Sequence, residues 1–93
     1  MEDKTMNAEF HHKCIIAKAM YYAIDKDTFE FEFVLDEAQA VEDDQTRNQM
    51  LANVAEAVRI CGEFEYIQKR ILPMMDKESA YYAVVVDKIA ACA

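Results

Sequence analysis

Several side chains that could bind a metal ion lie close together near the start of the chain: Glu9, His11, His12 and Cys14. Glu9 and His12 are three residues apart, and this spacing places both on one face of a helix. Helical di-iron proteins use such a pair twice and add two further glutamates, whereas here the pair occurs once. His11 and Cys14 would need a second cysteine, Cys61 or Cys92, to bind zinc. Two ligands on one helix do not make a site, so we expect no metal centre or cofactor and keep a metal-binding helical bundle as an alternative.

The three cysteines and the single serine give little support to nucleophilic catalysis. Cys14, Cys61 and Cys92 all lie on apolar stripes, where burial raises the pKa of a thiol and makes it unreactive. Ser79 has no histidine near it in the sequence, and one glycine cannot build a phosphate-binding loop. We therefore expect three reduced, largely buried thiols and no enzymatic activity.

Length and composition predict a single helical domain over residues 1–93. Of the 93 residues, 54% are hydrophobic, which is enough for a core and more than a monomer of this size can easily hide. One glycine and one proline are too few for the many tight turns of an all-β domain. The start of the chain lacks the basic and apolar regions of a signal peptide, and no apolar stretch is long enough to span a membrane. We expect a cytoplasmic protein that forms a homo-oligomer.

Hydrophobic periodicity predicts an all-α fold, a small antiparallel bundle of about four helices. The first two helices are expected at about 6–24 and 28–43. The third is expected to begin at Thr46 and to end at Gly62 or at Leu72, and the last follows Asp76 or Ser79 and includes Cys92. The first has an apolar stripe at Met6, Phe10, Cys14, Ala17, Tyr21 and Ile24, widened by Ile16 and Met20. The second has one at Phe31, Val34, Leu35, Ala38 and Val41. An α+β fold with a β-hairpin at about 20–35 is the alternative, because Phe29, Phe31 and Phe33 also alternate with glutamates.

Capping residues predict where these helices begin and end. Asp27 with Glu30, and Thr46 with Gln49, have the spacing of capping boxes. Ser79 or Asp76 can cap the last helix. Gly62 can end the third helix in a left-handed C-cap. The apolar stripe also keeps its phase across Gly62 and fits a helix that continues to Leu72, where Pro73 would stop it.

The formal charge excess of −8 is confined to residues 25–44. This segment holds nine acidic residues and one basic residue, while the two charges balance over the rest of the chain. On a helix, Phe29, Phe33 and Ala40 would lie opposite the apolar face, between two rows of carboxylates. The partner-binding residues predicted on this surface are Phe29, Glu30, Phe33, Asp36, Glu37 and Asp44. The ten basic residues are scattered, so we expect no direct binding of nucleic acid.

These patterns favour a non-enzymatic protein-protein interaction module that self-associates and binds a basic site on a partner protein. A small inhibitor or DNA mimic is one form that such an acidic protein can take. A structural or assembly module, driven by apolar surface with charge providing solubility, is the second hypothesis. If residues 28–35 formed a strand instead, Phe29 and Phe33 would turn inward and the surface would lose its anchors.

Overall fold

A computed structural model describes the backbone of residues 2–92 and the side chains of residues 8–92. Five helices follow one another: α1 (Glu2–Ala23), α2 (Phe29–Gln39), α3 (Asp44–Ile60), α4 (Phe64–Tyr66) and α5 (Ala80–Cys92). α4 continues directly into a π-helical turn, Ile67–Ile71, and a 3₁₀ turn, Leu72–Met74. The protein is 80% helical, with no strand among the described residues. The all-α prediction is confirmed, with five helices where about four were predicted, and the hairpin alternative is wrong.

Contacts between side chains give the directions of the first three helices. The rings of Tyr21 and Phe31 lie 6.3 Å apart, and Lys13 forms an ion pair with Glu37, so α1 and α2 run antiparallel. α3 runs in the same direction as α1. His11 hydrogen-bonds Asn53, and ten residues further along both segments Tyr21 hydrogen-bonds Glu63, just after the end of α3. The three helices therefore form an up-down-up group around a shared core.

The core contains most of the apolar stripes that the sequence predicts. In α1 and α2 the predicted positions that are buried are Phe10, Cys14, Ala17, Tyr21, Phe31, Val34, Leu35 and Ala38. α3 lies at the centre, with Leu51, Val54 and Val58 fully buried. Ile16 and Ile24 are exposed, contrary to the prediction: Ile16 lies at the edge of the α1 stripe, and Ile24 comes after the last residue of α1. The side chain of Met6 lies outside the described residues.

The link between α2 and α3 differs from the prediction because a better cap lies three residues earlier. The carboxylate of Asp43 accepts hydrogen bonds from the Thr46 backbone N–H at 2.9 Å and from the Thr46 hydroxyl at 2.7 Å. Asp43 is therefore the N-cap of α3, and the predicted Thr46–Gln49 capping box is wrong. α2 ends at Gln39 rather than at residue 43, so Asp44 begins the next helix.

Gly62 ends α3 in a Schellman motif. Its φ of 82° lies in the left-handed region, and its N–H donates to the Arg59 carbonyl at 2.9 Å. The N–H of Glu63 donates to the Val58 carbonyl at 3.2 Å, which is the second bond of the motif. The C-cap interpretation is confirmed, and a continuous helix through Gly62 is wrong. Pro73 lies in the 3₁₀ turn that follows.

α5 packs mainly on α3 and leaves much of its apolar surface exposed. The Ser79 hydroxyl accepts a hydrogen bond from the Tyr81 N–H, as expected of a cap. Val85 and Ile89 are its buried side chains. Cys92 is exposed, contrary to the prediction that all three thiols are largely buried. Within the described part of the chain, every helix is too short or too polar to cross a lipid bilayer.

Candidate protein-binding surface

Two left-handed residues and the carboxylate of Asp27 precede the start of α2. Asp25 and Lys26 have φ values of 54° and 56°, which reverse the chain after α1. The Asp27 carboxylate then accepts a hydrogen bond from the Phe29 N–H at 3.0 Å. The backbone N–H of Asp27, which Glu30 would bind in the predicted capping box, donates instead to the Ile24 carbonyl. The N-cap of α2 is Thr28, which makes no side-chain capping bond, so the predicted Asp27–Glu30 capping box is wrong. Asp27 binds the first N–H of the helix from the position before the N-cap.

Phe29 and Phe33 form an aromatic pair on the outer face of α2. They lie one turn apart, with ring centroids 5.2 Å apart and an edge-to-face angle of 82°. Their side chains are 60% and 58% exposed, whereas Phe31 and Leu35 on the opposite face are fully buried. Protein-binding sites often use an exposed pair of large aromatic rings of this kind as an anchor.

The individual carboxylates in the two rows beside this pair differ in whether they already form an ion pair or a hydrogen bond. Glu30 and Asp36 lie on opposite sides of the aromatic pair, and neither makes an ion pair or a hydrogen bond with a described side chain. Glu37 forms an ion pair with Lys13 of α1 at 2.9 Å. Glu30 and Asp36 are therefore the carboxylates of this face that are most readily available to a partner's cations.

Glu32 has a structural partner instead. It forms an ion pair with Arg70 and accepts a hydrogen bond of 2.5 Å from the hydroxyl of Tyr66. The Arg70 guanidinium holds the pKa of Glu32 below its usual range, and burial together with Glu32 raises the pKa of Tyr66. This cluster joins α2 to the π-helical turn and removes one carboxylate from the predicted acidic row.

Asp44 does not belong to the surface on which the sequence placed it. It is the first residue of α3 and forms an ion pair with Arg47. Arg47 also donates to the carbonyl oxygens of Val41 and Glu42, so this arginine closes the link between α2 and α3. The other five predicted residues share one side of α2: Phe29, Glu30, Phe33, Asp36 and Glu37.

A groove between α1 and α2 extends this surface, and the sequence did not reveal it. Ile16, 47% exposed, and Phe33 form its walls, with Ala17 and Val34 below them. Its volume is about 220 Å³. A shallower apolar depression along α1, lined in part by Glu9 and His12, shares Lys13 and Ile16 with the groove. The sequence contained one indication of this groove, which is that Ile16 lies beside the main apolar stripe of α1.

The described fold does not gather the possible metal ligands near the start of the chain into one cluster. Glu9, His11 and His12 are exposed, while His11 hydrogen-bonds Asn53 at 3.0 Å. Cys14 faces the core, and burial raises the pKa of its thiol to about 12. Among the residues whose side chains are described, no three histidine, cysteine or acidic groups come close enough to share a metal ion.

A cleft of about 250 Å³ lies between α3 and α5. Glu56 at its edge forms ion pairs with Arg59 at 2.7 Å and Lys88 at 3.2 Å. Hydrogen bonding to Arg59, and then to Lys88, lowers the pKa of Glu56 to about 2. Because Glu56 is the single carboxylate beside two cations, the described lining of this cleft has a formal charge of +1, opposite in sign to the outer face of α2.

Comparison with known proteins assigns no class to the chain: no protein-family model, no curated protein and no solved structure matches it significantly. The function must therefore be inferred from the physical character of the surfaces themselves.

Proposed function

We propose that this protein is a non-enzymatic interaction module that binds a basic site on a partner protein through the outer face of α2. The observation that carries the proposal is the exposed, edge-to-face pair of Phe29 and Phe33, with Glu30 and Asp36 on its two sides. Aromatic anchors at the centre of a patch supply binding energy when a partner covers them. Charges at the rim steer the partner and select against wrong ones.

Charge supports a basic partner. The segment 25–44 carries the whole formal excess of −8, and α2 lies at its middle. A field from so many like charges attracts cations over about 8–10 Å at physiological ionic strength. An acidic partner would meet repulsion from Glu30 and Asp36 at the rim of the aromatic pair.

A small inhibitor or DNA mimic is a specific form of this proposal. In that form the acidic face of α2 occupies a groove that otherwise binds phosphates. The protein would act in the cytoplasm. The raised pKa values of the Cys14 and Cys61 thiols, caused chiefly by burial, agree with a role that needs no nucleophile.

Self-association belongs to the proposal and is favoured by a different part of the molecule. Val84 and Val86 on α5 and Ile60 at the end of α3 are all exposed, and none of them belongs to α2. Apolar surface of this kind also favours the second candidate function, an assembly module in which charge only maintains solubility. The two candidates make opposite predictions about which surface matters.

The experiment compares two matched double variants. In Phe29→Ser/Phe33→Ser the anchors of α2 are removed, and in Val84→Ser/Val86→Ser the exposed valines of α5 are removed. Each variant and the wild type are immobilised, proteins are captured from cell extract and identified, and the captured protein is purified. Its affinity is then measured by calorimetry at about 50 mM and about 500 mM salt, since screening weakens surface electrostatics.

The expected partner has a basic binding surface, and its affinity falls at least about tenfold at high salt. The phenylalanine variant should lose about tenfold or more in affinity, as the removal of a central aromatic anchor does. The valine variant should bind the partner like the wild type and lose self-association in light scattering. Partner binding that survives loss of both phenylalanines, or that ignores salt, contradicts the proposal. Loss of all binding in the valine variant would favour the assembly module.

A further inference from the structure

The groove between α1 and α2 defines the shape that a partner must have. Its walls, Ile16 and Phe33, belong to two antiparallel helices, and its floor is formed by the buried side chains of Ala17 and Val34. Phe33 also belongs to the aromatic pair, so the groove and the outer face of α2 form one continuous apolar surface. A furrow between two helices accepts the side-chain ridge of a third helix.

The rim of this groove is acidic. Glu30 and Glu37 of α2 line it directly, and Glu9 lines the depression that continues along α1. Lys13 is the one basic residue that lines either depression, and it is paired with Glu37. Three carboxylates against one ammonium leave a negative rim around an apolar centre.

We propose that the partner inserts a basic amphipathic α-helix into this groove, with apolar side chains on Ile16 and Phe33 and lysine or arginine side chains beside Glu9, Glu30 and Glu37. This inference rests on the proposed function and specifies the structure of its partner. Such a helix matches the groove in both respects, an apolar stripe for the centre and cations for the rim. An extended peptide would need a strand edge to pair with, and the described residues form none.

The Lys13–Glu37 ion pair spans the groove and acts as a replaceable bridge. Both side chains are about half exposed, 52% and 43%. An exposed ion pair of this kind contributes little to stability, so opening it costs little. A partner cation can therefore take the place of Lys13 beside Glu37. Removing the Lys13 charge should strengthen binding, and removing the Glu37 charge should weaken it.

The probe is a synthetic peptide of about 18 residues, made of leucine and lysine in helical periodicity. Its binding to the full chain is measured by fluorescence anisotropy at about 50 mM salt, and its helix content by circular dichroism. The expected result is binding with a gain of peptide helix. Phe33→Ala and Ile16→Ala should each weaken it by about five- to tenfold. The matched control is Ile60→Ala, because Ile60 is 49% exposed and does not line the groove, and it should leave the affinity unchanged.

Charge variants test the rim in the same assay. Lys13→Gln should tighten peptide binding about two- to threefold, and Glu30→Gln should weaken it by a similar factor, as changes at a partly exposed rim do. Glu78→Gln, an exposed carboxylate outside the groove, is the matched control. Weaker binding by the Lys13→Gln variant would overturn the role given to the ion pair.

A peptide of the same composition in scrambled order separates failure of this inference from failure of the proposed function. If the scrambled peptide binds as tightly and depends equally on Phe33, the acidic surface accepts any basic segment, and the helical form of the partner is overturned while the proposed function stands. If Ile60→Ala weakens binding as much as Ile16→Ala, the groove is not the site. If neither peptide binds the wild type, the inference of a helical partner is overturned, and the proposed function is judged by the phenylalanine variant and the salt dependence of the captured partner.

Discussion

Replacing Gly62 with alanine tests how the chain is divided between α3 and α4. Gly62 has a φ of 82°, and a Cβ atom built on it would have no heavy atom within 4 Å outside its own neighbours. The substitution therefore introduces no clash, and its cost is conformational. A left-handed alanine costs about 1–2 kcal/mol relative to glycine, and the lower entropy of the unfolded chain offsets about 0.4–1 kcal/mol of this.

The net expectation is a loss of about 1 kcal/mol in the free energy of unfolding. With a urea m-value near the low end for small proteins, about 1–1.5 kcal/mol per molar, the midpoint should fall by about 0.7–1 M. Urea titration followed by circular dichroism measures this shift. Gly62→Asn is the control, because asparagine tolerates the left-handed region better than alanine and should lose less stability.

The opposite sign would refute this account of Gly62. If the chain continued from α3 into α4 as a single helix, alanine would be the better helix former, and the same substitution would stabilise the protein by about 1 kcal/mol. A midpoint that rises with Gly62→Ala would therefore contradict the Schellman motif. An asparagine variant less stable than the alanine variant would contradict the left-handed conformation as the cause.

Three further predictions concern buried and paired groups. Asn48→Ala should cost about 2–3 kcal/mol in urea unfolding, since Asn48 is buried and bonds Asp44 and Asp76; a loss under about 0.5 kcal/mol would contradict those bonds. Glu56 has a pKa lowered from 4.5 to about 2, so the stability it provides above pH 4.5 is lost as the pH falls towards 2. In the Glu56→Gln variant the free energy of unfolding should fall less steeply than in the wild type over this pH range. An unchanged pH dependence would contradict the ion pairs of Glu56. At about pH 8, a thiol reagent should modify Cys92 rapidly and Cys14 only on unfolding; equal rates would contradict the burial.

Local periodicity was sufficient to predict the buried faces of the first two helices. Apolar residues recur at helical spacing in both helices, among them Phe10 and Cys14 in α1 and Phe31 and Leu35 in α2. Such a pattern predicts that one face of the helix is buried. The exposure of Phe29 followed from the same projection once the segment was helical. The central positions of each stripe are thus predictable from neighbouring residues, whereas its edges and ends are not, as the exposure of Ile16 and Ile24 shows.

Helix ends and long-range pairs were not predictable in the same way. Asp43 and Thr46 both offered a cap, and the choice between them depends on which geometry the link from α2 can reach. That choice moved Asp44 off the acidic face. The pairing of Glu32 with Arg70 joins residues far apart in the sequence, and it becomes visible once α2 and the π-helical turn are packed together.

Backbone-amide NMR of the protein with its captured partner tests the central claim most directly. As the partner is added, the largest shifts should fall on residues 29–37 of α2 and on α1 around Ile16, and they should fade when the salt concentration is raised. Residues of α5 around Val84 should change little. Shifts that concentrate on α5 and the cleft beside α3, and leave Phe29 and Phe33 unchanged, would contradict the account.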